Sequence, residues 1–179
     1  ATGIHRDGGF AEFCVFPASK AVVLPDKINP LYGAFCEPLA CTWHGMDMGA
    51  ACEGETVLVI GGGVIGLMAV QLAKLAGAKV LLLTRSPEKQ TLGLNIGADY
   101  AVGTESEVRA IWPEGADLVV ECAGVSATVT LSHKLARSGG RVVVLGVISQ
   151  GEQVPIEPFD MLFRDCLLYT SPSPRDGLL

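Results

Sequence analysis

Charge is scarce in this chain. Asp, Glu, Lys and Arg make up 18% of its 179 residues, with 13 basic against 19 acidic side chains and a net charge of −6. No Lys/Arg cluster appears, which argues against a partner that is nucleic acid or an anionic membrane. Aromatics are only 6%, too few for a base-stacking surface. The six cysteines, at 14, 36, 41, 52, 122 and 166, form no CxxC pair. Neither a disulfide scaffold nor a structural zinc knuckle is therefore expected. Scattered thiols fit a reducing compartment, the cytoplasm. The start, Ala-Thr-Gly-Ile-His-Arg-Asp, lacks both Met and an apolar signal stretch. One uncharged run, Thr56 to Ala73, nears membrane-spanning length. Gly61, Gly62, Gly63 and Gly66 interrupt it and β-branched residues precede them, so no membrane span is expected.

What the chain has in quantity is apolar residues, 49% of the total. Its mean hydropathy is +0.41. That excludes intrinsic disorder and provides for a sizeable core. From residue 56 one theme repeats. Short β-branched runs (Thr56–Ile60, Val80–Leu83, Tyr100–Val102, Leu118–Val120, Val142–Leu145) alternate with helical patterns. The runs are apolar at consecutive positions, as strands buried on both faces of a parallel sheet must be. Helix signals sit between them. Gly77 closes Val64 to Ala76, Ser86-Pro87 is an N-cap with Pro at the first helical position, and Thr104 to Glu107 is a capping box. Ser126 to Arg137 is a fourth helix, ended by Ser138-Gly139-Gly140. The expectation is a doubly wound α/β domain.

The termini differ. Phe10–Phe16 and Ala21–Leu24 look like strands with no helix between them, so antiparallel pairing is expected. They read as the end of a β-rich domain, with Pro30 to Met48 a helical connector. The expected boundaries are 1–29, 30–50 for the connector, and 51–165 for the α/β domain. Residues 166–179 carry two Ser-Pro pairs where another strand and helix are due. They look like an adapter sequence translated in frame, a foreign tail, although Cys166 to Thr170 is apolar enough to form a strand.

Gly61-Gly62-Gly63-Val64-Ile65-Gly66 fits G-x-G-x-x-G, after a strand and opening a helix, the context a dinucleotide site requires. Gly61 permits the tight turn, Gly63 the close approach of a pyrophosphate, and Gly66 the packing of helix on strand. The amides of Val64 and Ile65 would hold the anion. A ligand-free Gly-rich turn and a methyltransferase loop also fit the motif. An NAD site usually places Asp or Glu about twenty residues on, to bind the ribose hydroxyls. Thr84 and Arg85 stand there instead. Arg85, with Lys89 one turn along, would pair with a 2′-phosphate, so NADP is preferred over NAD. Both side chains also fit a solvated helix start. Cys122 and Gly146 follow two later strands and point to the same crevice. Cys122, with no His near it in sequence, reads as a packing residue beside the cofactor and not as a nucleophile.

Four segments resemble the zinc-dependent medium-chain alcohol dehydrogenases, in their sorbitol and threonine dehydrogenase branch. They are Arg6 to Glu12, Glu37 to Gly45 (Glu-Pro-Leu-Ala-Cys-Thr-Trp-His-Gly), Thr56 to Gly66 and Asp117 to Gly124. The resemblance runs from residue 3 to about 165. It implies a GroES-like β domain, of which the chain holds the C-terminal strands, followed by a Rossmann domain. It implies hydride transfer between an NADP or NAD cofactor and a small alcohol, polyol or hydroxy amino acid, with zinc as Lewis acid. It places Glu37 at the metal, as ligand or through its water. His44 would pack or face the cofactor. The family's other zinc ligands and its four-Cys lobe would lie before residue 1, so no catalytic residue is assigned within the chain. The family commonly forms homo-oligomers. Two alternatives stay open: a zinc-free quinone or enoyl reductase of the same superfamily, and a non-catalytic nucleotide-binding module.

Overall fold

The computed structural model describes Gly3 and residues 6–170. The chain divides into two compact units, Ala1–Cys36 and Glu37–Leu179. The division falls inside the expected 30–50 connector.

The first unit holds a 3₁₀ turn, Ala18–Lys20, and a one-turn helix α1, Pro30–Gly33, capped by Asn29, whose carboxamide oxygen accepts from the Leu31 amide at 2.9 Å. The expected strands at 10–16 and 21–24 do not form. Their backbone pairs with nothing strand-like among the described residues, and Phe10, Phe13, Val15, Val22 and Val23 are exposed. A hairpin with no third strand or helix to cover it is marginal. The turn at Ala18–Lys20, after Pro17, further breaks the run.

The second unit is the doubly wound α/β domain. Its helices are α2 (Cys36–Gly49), α3 (Val64–Leu75), α4 (Pro87–Asn95), α5 (Glu105–Ile111), α6 (Ser126–Leu135) and α7 (Pro158–Phe163). Its strands are β1 (Thr56–Ile60), β2 (Lys79–Leu83), β3 (Tyr100–Val102), β4 (Ala116–Glu121), β5 (Ala136–Val144) and β6 (Leu167–Thr170). All pairings are parallel, in the order β3-β2-β1-β4-β5-β6. This is the Rossmann order, with its topological switch between β1 and β4.

The central strands β1, β2 and β4 are buried on both faces, as their unalternating apolar runs require. Val57, Val59, Val80, Leu82 and Val120 pack with Met46 of α2 and Ala69, Val70 and Ala73 of α3. Leu58, Ile60, Leu81 and Val119 face Val108 and Trp112 beside α5 and Leu135 of α6. The uncharged run Thr56 to Ala73 is thereby split into β1, a turn and α3. No helix among the described residues is long and apolar enough to cross a membrane.

Helix ends follow the local signals. The Ser86 side chain caps α4, the Thr104–Glu107 capping box closes on α5, and Gly77 takes φ +82° after α3. The exception is α6. It stops at Leu135 and the chain enters β5 at Ala136, not at Val142. A register shift lets Ala136 pair with Ala116 while Arg141 pairs with Leu118. The Ser-Gly-Gly expected to end the helix instead lies inside a strand irregularity, where Gly139 adopts φ +71°. At the other edge, β6 takes Leu167–Thr170 of the expected foreign tail into register with Arg141–Val144. The rest of that tail, 171–179, lies outside the described residues.

Candidate dinucleotide site

The site forms where β1 and β4 end side by side. Hydrogen bonds extend past the strands. Gly61 donates to the Leu83 carbonyl at 2.9 Å, Cys122 to Ile60 at 2.8 Å and Thr84 to Val102 at 2.9 Å. The chain leaving β1 is thus clamped on both sides before it turns into α3.

Two glycines make that turn possible. Gly61 sits at φ +107°, and a Cβ there would lie 3.0 Å from the Ala123 nitrogen. A Cβ on Gly66 would fall on the Gly61 carbonyl oxygen. Gly63 is different. It has ordinary β-region backbone, caps α3, and a Cβ there would meet nothing within 4 Å. Its missing side chain leaves open space beside the amides of Val64 and Ile65. Those first-turn N–H groups have no intrahelical acceptor, and the positive end of α3 favours an anion there.

A cavity of about 560 Å³ occupies the crevice. Gly61, Gly63, Thr84, Arg85, Lys89 and Cys122 all line it. Val64, Ile65 and Gly66 stand behind it in the first turn of α3. Gly146 is not on its wall. A Cβ there would strike the Gly124 backbone and the Glu121 carboxylate, so this glycine serves packing behind the crevice. Arg85 and Lys89 are exposed, and Thr84 is buried, its carbonyl accepting from the Gln90 side chain at 2.7 Å. Cys122 is half-buried. Burial, and then the neighbouring Glu121 carboxylate, push its thiol up, which disfavours a thiolate nucleophile.

Sequence reasoning missed three lining features. Gly62 is tucked against Thr84 and Lys89, where a Cβ would come within 3.0 Å of both. Glu105, the first residue of α5, puts a carboxylate on the lining and pairs with Arg109 at 2.8 Å. Val125 and Thr128, from the turn into α6, close the far wall. Only the β1–β4 adjacency could have signalled the last two.

The metal expectation finds less support. Among the described residues no group of three His, Cys, Asp or Glu could hold a metal ion. Glu37 is exposed and accepts from the Cys41 thiol at 3.4 Å, one turn along α2. Partial burial and that carboxylate push the Cys41 thiol up. Two donors do not satisfy a tetrahedral zinc, so Glu37 and Cys41 do not by themselves make a metal site. His44 is half-buried, and its Nε2 has no partner among the described residues.

The description "Zinc-binding dehydrogenase" matches residues 64–173. Galactitol 1-phosphate 5-dehydrogenase of Escherichia coli (strain K12) is 32% identical over 187 residues, covering 96% of this chain and 54% of the relative. Sorbitol dehydrogenase of Halalkalibacterium halodurans is 32% identical, covering 84% and 46%. Among solved structures, one described as a zinc-binding dehydrogenase from Sinorhizobium meliloti 1021 bound to NADP superposes with a TM-score of 0.89. It is 50% identical, covering 96% of this chain and 53% of that one. Galactitol-1-phosphate dehydrogenase from Escherichia coli gives a TM-score of 0.82 at 28% identity, with 96% and 53% covered. The chain spans about half the length of the curated relatives it matches. With the Rossmann strand order, the glycine turn at the β1–β4 switch and these similarities, the chain belongs to the zinc-binding dehydrogenase family.

Proposed function

We propose that this chain is the dinucleotide-binding part of an oxidoreductase that moves hydride between a nicotinamide cofactor and a small alcohol or polyol. The observation that carries the reading is the cavity at the β1–β4 switch, with Gly63 open on one side and Thr84, Arg85 and Lys89 on the other. The pyrophosphate sits at the start of α3, against the Val64 and Ile65 amides. The adenosine ribose reaches the end of β2.

NADP is the preferred cofactor. Just past β2, Thr84 and Arg85 stand where a carboxylate would repel a 2′-phosphate, and Arg85 and Lys89 line the cavity while the neighbouring Glu88 does not. Glu105 also lines the cavity, but its charge is engaged by Arg109. The Sinorhizobium neighbour is described as bound to NADP, which agrees with this reading. The alcohol or polyol substrate rests on the relatives' names, galactitol 1-phosphate and sorbitol among them. Glu37 is the residue we assign to the zinc of the whole protein, where further ligands are required, and we place that protein in the cytoplasm as a homo-oligomer.

Titration with NADPH and NADH, followed by nicotinamide fluorescence, tests the reading. Saturable binding of both is expected, tighter for NADPH. Absence of binding to either would overturn it.

A further inference from the structure

We propose that Glu121 is a positioning residue, fixing the turn at 122–128 in the form that lets the crevice accept a dinucleotide. The inference rests on the dinucleotide reading above and goes beyond it to a residue that does not line the cavity.

Glu121 ends β4 and is fully buried. Its carboxylate faces no cation in any hydrogen bond or ion pair among the described residues. It is held by neutral donors alone. Oε1 accepts from the Ala123 amide at 2.9 Å, the Gly124 amide at 3.0 Å and the Thr128 hydroxyl at 2.7 Å, and Oε2 from the Gly124 amide at 3.3 Å. Burying a charge is expensive unless it is well hydrogen-bonded. An apolar side chain would fill the same space at lower cost, so filling space does not account for a carboxylate here.

What the carboxylate does is gather one turn. Five residues of that turn, Cys122, Ala123, Val125, Ala127 and Thr128, line the cavity opposite the glycine loop. Two of them, Ala123 and Thr128, donate to Glu121 directly, and Gly124 between them does so too. Because a trans peptide sets C=O against N–H, drawing the Ala123 and Gly124 amides toward Glu121 turns the Cys122 and Ala123 carbonyls away from it. The surroundings are built around the same arrangement. Gly124 takes φ +68°, and only a glycine at 146 leaves room for the Glu121 oxygen and the Gly124 backbone. Gly61 in turn rests on the Cys122–Ala123 peptide, so the position of this turn sets the width of the crevice at the glycine loop.

The test uses three variants of the full chain. Glu121→Gln keeps an oxygen where Oε1 makes three of the four bonds. Glu121→Met keeps the length and removes the acceptor. Glu121→Asp keeps the charge and withdraws it by one methylene. NADPH affinity is measured beside the urea midpoint and the exchange rates of the Ala123 and Gly124 amides. The Met and Asp variants should bind NADPH about tenfold more weakly and exchange both amides faster, while Gln stays within about threefold of the parent. If Met does not fold, Asp carries the comparison. Folded Met or Asp variants that bind NADPH as the parent does would overturn the positioning role alone, even if their midpoints fall. A parent chain that binds neither NADPH nor NADH would overturn the dinucleotide reading, and this role with it.

Discussion

In the proposed reading, Arg85 carries the preference for NADP at the level of a single side chain. It is exposed at the cavity rim and leaves the fold untouched if removed. Arg85→Ala should weaken NADPH by roughly 1.5–3 kcal/mol, the worth of a charged hydrogen bond to phosphate, and change NADH little. Equal NADPH affinity in parent and variant, by calorimetry, would remove Arg85 from the site. His133 makes a different point. Its ring is buried with neither nitrogen partnered among the described residues. Burial, and then Arg164, hold its pKa below the usual value of 6.5, while Asp160 opposes them. The folded state therefore binds its proton less readily than the unfolded chain. Stability from the neutral ring is complete above that usual value and falls as pH drops below it. Urea midpoints should decline from pH 7 to 5 in the parent, and less steeply in His133→Leu. Parallel curves would contradict this.

At the scale of elements, the start of β1 is tied to β4 and β5 at the end of the sheet away from the site. Asp117 accepts from the Thr56 amide and hydroxyl at 2.8 and 2.6 Å and from Arg137 at 2.5 Å. Burial opposes its charge, but the Thr56 donors and Arg137 prevail and bring the carboxyl down to about 2. A depressed carboxyl stabilises the fold above its unfolded pKa of about 4 and loses that contribution as pH falls toward 2. The loss should be ~1–2 kcal/mol, allowing for solvent around Arg137. Asp117→Asn should remove most of this acid dependence in urea titrations between pH 2 and 5. An unchanged slope would show that the staple contributes nothing. On α5, Thr104→Ala opens the capping box and should cost about 1 kcal/mol in the same assay.

Over the whole molecule, what could be read from sequence follows the range of the interactions. Ser86, Thr104, Gly77 and the Gly61–Gly66 turn act within a few residues of chain, so their spacing was enough. The parallel sheet was legible because its strands carry unbroken apolar runs, such as Val57–Ile60, Val80–Leu83 and Leu118–Val120. Gly62 and Glu105 matter through neighbours that the sheet brings together only after the chain crosses it. Glu121 and Thr128 meet within seven residues of chain, but no familiar spacing marks a strand-end carboxylate that gathers the turn after it. The segments at 10–16 and 21–24 have strand composition but no pairing partner among the described residues, and composition alone does not hold a strand. The early start of β5 arises from a register shift against β4, which no local pattern announces.

In the proposed reading the cofactor comes against the backbone in the space left by Gly63. Gly63→Val tests it directly. The added Cβ meets nothing within 4 Å and the change costs about 1 kcal/mol as a poorer helix cap, yet the side chain fills the approach to α3. Titrated with NADPH beside the parent, the variant should remain folded and show no saturable binding, while the parent saturates. Equal binding by the folded variant, or none by the parent, would rule out a dinucleotide at the start of α3.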